Sequence, residues 1–227
     1  DNNVNIVNPL STDLSVMRQS LLFSGLESIS YNLNRQNNSL KFFEFGKTYH
    51  KYESGKVEQK HLSLFITGSR NKDRWNSEQK PSDFFYLKGV VVTLLQRLGI
   101  NNLKTSPVKS DMFSEGIQLS LGKTKLVTLG TVKGKVLRNF GIKQEVLFAD
   151  FDWEQVMNVG GKAKVKVAEL PKYPGVKRDF ALLLDKNVTF SAIYKLAFQA
   201  ERKVLKEVDL FDVYEGENLE ENKKSYA

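Results

Sequence analysis

The sequence predicts an α+β protein in two domains, on three observations. Apolar residues recur at helical spacing in some stretches and alternate or run together as strands in others, with no internal repeat. Glycines close most of these stretches, as turns and helix ends require. Between Asn158 and Gly175 the pattern breaks into a Gly-Gly pair, lysines alternating with valine or alanine, and two prolines. That break places the domain boundary near Val167, giving domains 1–167 and 168–227.

In the first domain, Leu22, Leu26, Ile29 and Leu33 lie on one face of a helix entered after Ser20, a face destined for core or interface. The segments 40–45 and 61–67 are aromatic and aliphatic, and Gly46 and Gly68 follow them. They read as strands of a largely buried sheet, joined by a polar connection over 51–60. Phe84, Leu87, Val91, Leu94 and Leu98 form a second helical stripe, started near Ser82 or Asp83 and stopped by Gly99. Ile117, Leu119 and Leu121 alternate with polar residues, and the run 126–132 follows a tight Gly122-Lys123 turn, so a hairpin is expected. Residues 146–149 read as another strand. Asp152, three places before Gln155, has the spacing that caps a short helix starting at Trp153.

The second domain reads as strand 178–184, helix 191–206 and strand 208–214, then a turn at 215–218 and the beginning of a further strand at Lys223. This order suits the start of a ferredoxin-like split βαβ sandwich. About 60 residues of it are present by the domain-size reckoning, so at least one helix and one strand are expected to lie beyond the sequence and apolar surface is expected to be exposed. Asp1 is not an initiator methionine, and the chain therefore reads as part of a longer polypeptide.

Composition narrows the chemistry. A hydrophobic fraction of 41% and a charged fraction of 26% belong to a soluble globular protein, with no apolar run long enough for a membrane span and no signal sequence. The chain has no cysteine, which excludes disulfides, zinc–thiolate sites and thiol catalysis, and fits a cytoplasmic protein. The net charge of +8 suits a polyanionic partner. Eleven Lys or Arg against four Asp or Glu fall between Gly160 and Lys206, a concentration suited to a phosphate backbone.

Catalytic motifs are missing. Gly122-Lys123-Thr124 mimics the end of a phosphate-binding loop, but Ile117 stands where its first glycine is required, so a hairpin turn explains it. His50 and His61 have no metal-ligand spacing to other donors and are assigned surface or packing roles. No Gly-x-Ser-x-Gly elbow is present.

A set of ordered motifs then carries a resemblance. Asn8-Pro9-Leu10-Ser11, Met17-Arg18-Gln19-Ser20-Leu21-Leu22, Asn32-Leu33-Asn34-Arg35, Phe43-Glu44-Phe45-Gly46-Lys47-Thr48-Tyr49 and Phe84-Phe85-Tyr86-Leu87-Lys88-Gly89 resemble the synthetase-like core of bacterial phenylalanine-tRNA ligase β subunits. Tyr173-Pro174-Gly175-Val176-Lys177-Arg178-Asp179 and Leu210-Phe211-Asp212-Val213-Tyr214-Glu215-Gly216 are similar to that family's ferredoxin-fold anticodon-binding domain.

The resemblance implies a class II synthetase-like antiparallel sheet with helices, followed by a truncated ferredoxin-like domain. It also implies that the first domain is catalytically silent. Active class II sites use two arginines as clamps on ATP phosphates. Alignment with the family's active pattern puts His50 at one arginine position and Gln155 at the other, with Asp150 and Asp152 where glycines belong. A mostly neutral imidazole cannot replace a permanent bidentate cation.

Assembly with the catalytic α subunit in an α2β2 enzyme is then expected, with Leu22, Leu26 and Ile29 as core or subunit interface. No metal or cofactor is expected on this chain, ATP and Mg2+ being used by the whole enzyme. Lys172, Lys177 and Arg178 are the candidates for tRNA(Phe) phosphates, and Tyr173 and Tyr214 for stacking on bases. An active class II ligase domain and an unrelated basic RNA-binding module are the competing readings.

Overall fold

A computed structural model describes residues 2–71, 75–76, 78–161, 172–216 and 219–227. The chain forms two compact units, Asp1–Lys166 and Val167–Ala227. The boundary expected near Val167, with its lysine-alternating stretch, lies outside the described residues.

The first unit contains α1 (Leu22–Leu33), β1 (Leu40–Tyr52), β2 (Gly55–Thr67), α2 (Phe84–Arg97), β3 (Lys104–Pro107), β4 (Phe113–Leu121), β5 (Thr124–Val132), α3 (Gly134–Asn139), β6 (Val146–Asp152) and α4 (Trp153–Gly160). Its six strands form one antiparallel sheet in the order β1-β2-β6-β5-β4-β3. Because strand side chains alternate between faces, β2 and β6 each serve two cores. Leu62, Ile66, Leu147, Ala149 and Phe151 pack with Leu87, Val91 and Leu95 of α2 and Val156 of α4. Phe65, Val146 and Phe148 pack on the other side with α1 and with Leu137 of α3.

Capping follows local chemistry. The Asp83 carboxylate accepts from the Tyr86 amide at 2.7 Å and starts α2, and Gly99, with φ +79°, ends it. The Asp83 carboxyl is held below its ordinary range, first by that amide, with the Arg70 guanidinium adding to it against an opposing effect of burial. Asp83→Ala is expected to lower the thermal midpoint by a few degrees at most, as circular dichroism would measure.

Three expectations for this unit are corrected. The stretch 51–60 is not a polar connection: β1 runs to Tyr52 and β2 starts at Gly55. Backbone pairing continues there with every residue exposed, so no buried apolar pattern reports it. The sequence reading also lacks β3, an exposed edge strand, and α3, a helix of six residues too short to show a period. Finally, Leu22, Leu26 and Ile29 are 0–1% exposed within their own unit. With no surface left to offer, they are core residues and not a subunit interface.

The second unit contains β7 (Leu182–Asp185), α5 (Phe190–Ala200), β8 (Val213–Tyr214) and β9 (Lys223–Tyr226), with an antiparallel sheet ordered β7-β9-β8. Its elements are shorter than expected. The helix stops at Ala200 because Glu201 leaves helical geometry and its carboxylate accepts from the amides of Val204 and Lys203, at 3.0 and 2.7 Å. Residues 178–181 and 208–212 lie outside any strand. Phe180, Leu183, Leu196, Val204 and Phe211 are exposed within this unit.

Candidate functional site

The candidate site lies on the α1-bearing face of the sheet, where β1, β2 and β6 run side by side and the apolar core gives way to polar side chains. The register brings Gly46 opposite His61 and His61 opposite Asp152, with Ser63 opposite Asp150. The apolar residues Phe65 and Phe148 occupy this face near α1; two and four positions along, the same face carries Ser63, His61 and Asp150.

His61 is the hub. Its Nε2 lies 3.0 Å from Thr48 Oγ1, and its Nδ1 lies 3.0 and 3.1 Å from the two Asp150 oxygens. Ser63 Oγ donates to Asp150 Oδ1 at 3.1 Å. Thr48 and Ser63 are buried. Burial is the largest single influence on the imidazole and lowers its pKa, but the hydrogen bond and charge of Asp150, with the charge of Asp152, outweigh it and raise the pKa above the ordinary value. The packing position of His61 thus includes a carboxylate partner that no metal-ligand spacing indicated. That partner lies 89 residues away, beyond any spacing rule.

Beside this network Arg18 lies across β1. Its Nη1 is 2.6 Å from Glu44 Oε1 and its Nε donates to the Lys47 carbonyl at 3.0 Å. Gly46 makes room for it: a Cβ there would lie 2.5 Å from Arg18 Nη2 and 2.8 Å from Leu21 Cδ2. Arg18, Glu44, Thr48, Ser63 and Asp150 were not expected to form one cluster. A glycine inside a strand signals close approach, and Gly46, read as a strand end, was that signal.

His50 sits on β1 two residues beyond Thr48, its ring stacked on Tyr52 with centroids 6.1 Å apart. Gln155 is exposed in the first turn of α4, its amide donating to Asp152 at 3.0 Å. The aspartate at the β6–α4 junction is thus a helix cap. No cluster of three or more metal-ligating side chains occurs among the described residues.

In the second unit, Lys172, Tyr173, Lys177 and Arg178 share the exposed irregular segment before β7, where the Arg178 guanidinium donates to the Lys177 carbonyl. Tyr214 stands apart on β8, its ring filling the space a side chain at Gly216 would need. Among the described residues, no hydrogen bond or ring contact joins Tyr214 to the other four.

Most of the chain shares its fold with a solved tRNA synthetase. Two structures of a pyrrolysyl tRNA synthetase from Desulfitobacterium hafniense superpose with TM-scores of 0.51 and 0.53 at 18% and 17% identity, covering 69–70% of this chain and 54% of theirs. The family "Phenylalanyl tRNA synthetase beta chain CLM domain" matches residues 1–153, and "Ferredoxin-fold anticodon binding domain" matches residues 171–227. The chain belongs to the phenylalanyl tRNA synthetase beta chain family. Curated phenylalanine–tRNA ligase beta subunits from Bacteroides thetaiotaomicron and Bacillus subtilis are 45% and 37% identical over 99% and 96% of the chain. The chain spans 29% and 28% of those relatives' length.

Proposed function

We propose that the chain is the catalytically silent, scaffolding and tRNA-binding part of a phenylalanine–tRNA ligase β subunit, acting in ATP-dependent charging of tRNA with phenylalanine. ATP, Mg2+ and phenylalanine are held by the catalytic α subunit of an α2β2 assembly in the cytoplasm. The observation that carries the silent reading is the composition of the β1–β2–β6 face. A nucleotide triphosphate needs free cations there. The guanidinium on this face, Arg18, is already held by Glu44, and Asp150 and Asp152 bring negative charge beside it. His50 and Gln155 stand at the aligned arginine positions. These residues do not fit ATP, and no catalytic step is assigned to them.

With its own core closed, the first unit supplies a rigid sheet for assembly. The second unit supplies Lys172, Lys177 and Arg178 for tRNA phosphates, with Tyr173 and Tyr214 available to stack on bases. Two measurements test this. Pyrophosphate exchange by the isolated chain should show no phenylalanine dependence, and exchange above background would reverse the reading. In the assembled enzyme, Lys177→Ala with Arg178→Ala should lower the salt slope of tRNA(Phe) binding by roughly 1.4–1.8. An unchanged slope removes both residues from the tRNA contact.

A further inference from the structure

The β1–β2 hairpin extends well past the sheet. β2 pairs with β6 only from His61 to Thr67, whereas β1 and β2 pair with each other out to Tyr52 and Gly55. The outer part, 47–60, therefore has no strand beyond β2. On the β1 side, among the described residues, backbone bonds run to the N-terminal segment from Tyr49 N–H to the Arg18 carbonyl and from Lys51 N–H to the Asn2 carbonyl. Every β2 residue from Gly55 to Lys60 is exposed. This outer ribbon contributes nothing to either hydrophobic core.

Its charges are placed at a cost to stability. Lys47 lies directly opposite Lys60, and Lys51 directly opposite Lys56. Directly opposed side chains have Cβ atoms about 5 Å apart, and like charges at that distance repel. By strand alternation both pairs share one face with Tyr49 and Glu58, which oppose each other between them. Glu58 is bound to Lys47 at 2.6 Å. Four lysines thus meet one glutamate on this face. At roughly 3.3 Å per residue, Lys51 stands about 13 Å along the strand from Lys47, so the Lys51–Lys56 pair lies clear of the Lys47–Glu58 ion pair.

We propose that this ribbon face is a second tRNA-backbone contact, distinct from the anticodon-binding domain, in which the opposed Lys51–Lys56 pair holds a phosphate group. The inference rests on the reading of the chain as a tRNA-binding synthetase subunit. A phosphate between the Lys51 and Lys56 ammonium groups removes their repulsion. Nucleic acid fits better than an acidic protein surface because the face between the opposed lysines carries Tyr49 and Glu58 and no aliphatic side chain. Its aromatic residue, Tyr49, is half-buried among lysines, and backbone phosphates require only accessible cations.

The test uses the full-length β subunit assembled with its α subunit, titrated with fluorescent tRNA(Phe) between 50 and 200 mM salt, roughly the span over which phosphate contacts are resolved. Lys51→Gln with Lys56→Gln should weaken binding about 5- to 10-fold and lower the salt slope by roughly 0.7–0.9, the loss of one phosphate contact. Lys56→Glu should also weaken binding, yet it places opposite charges across the ribbon, so the thermal midpoint should hold or rise. A structural role would move affinity and stability together, and that result would overturn the proposal. Unchanged affinity and slope would also overturn it, as would loss of α-subunit assembly with tRNA affinity intact, which would make the face a protein contact. Failure of the wild-type assembly to bind tRNA(Phe) would sink the functional reading itself, and the ribbon contact with it.

Discussion

Phe65→Ala is expected to lower the stability of the first unit by about 3–5 kcal/mol, measured as a shift of the urea midpoint at unchanged slope. Phe65 is 2% exposed, and its ring lies 4.9 Å from that of Phe148. It also fills the notch left by Gly25 of α1, where a Cβ would sit 2.1 Å from the Phe65 Cζ. Truncating Phe65 opens a cavity between α1 and the sheet, and the surrounding core cannot fully collapse into it. The converse change, Gly25→Ala, overpacks the same contact and should cost about 1–3 kcal/mol or more.

Gly25 and Phe65 are in contact, so their substitutions should not add. In the Phe65→Ala background the alanine at 25 gains room, and a double-mutant cycle should return a coupling of roughly 0.5–3 kcal/mol. Additive losses would mean that α1 does not pack on β2 through this pair.

Asp150→Asn is expected to cost about 2 kcal/mol, because hydrogen bonds to a charged group contribute about 1.5–3 kcal/mol each and two donors converge on this carboxylate. It should also change how stability responds to pH. The folded imidazole of His61 holds its proton more tightly than the unfolded one, whose ordinary value is 6.5. The charged-pair contribution is therefore complete below that value and is lost as pH rises through the folded pKa. The gap between wild type and Asp150→Asn should be widest on the acid side of neutrality and narrow toward pH 8, roughly where ordinary imidazole is neutral. A gap independent of pH would show that Asp150 acts only through Ser63 and the neutral ring.

Much of the fold was legible because its signal is local. The stripes of α1 and α2, the Gly122 turn between β4 and β5, and the Asp152 cap each depend on residues a few places apart. What escaped depends on surroundings. The outer ribbon of β1 and β2 has no buried face, so no apolar alternation announces it. The end of α5 is decided by one carboxylate bonding its own backbone, which apolar spacing does not register.

The candidate site divides in the same way. His50 and Gln155 could be singled out by aligning motifs, since what matters there is the residue type at a position. The closure of the face by Arg18, Glu44, Thr48, His61, Ser63 and Asp150 could not, because its bonds join residues 13 to 89 positions apart.

The sequence by itself determined the family and the two-domain α+β organisation, because these rest on local patterns and ordered motifs. Only the tertiary structure decided that Leu22, Leu26 and Ile29 are sealed in the core and that His61 has a carboxylate partner. It also decided that four lysines share one face of a projecting ribbon. The reason is physical: burial, partner distance and strand register are set by how separate elements stack and pair, and a linear sequence does not contain those distances.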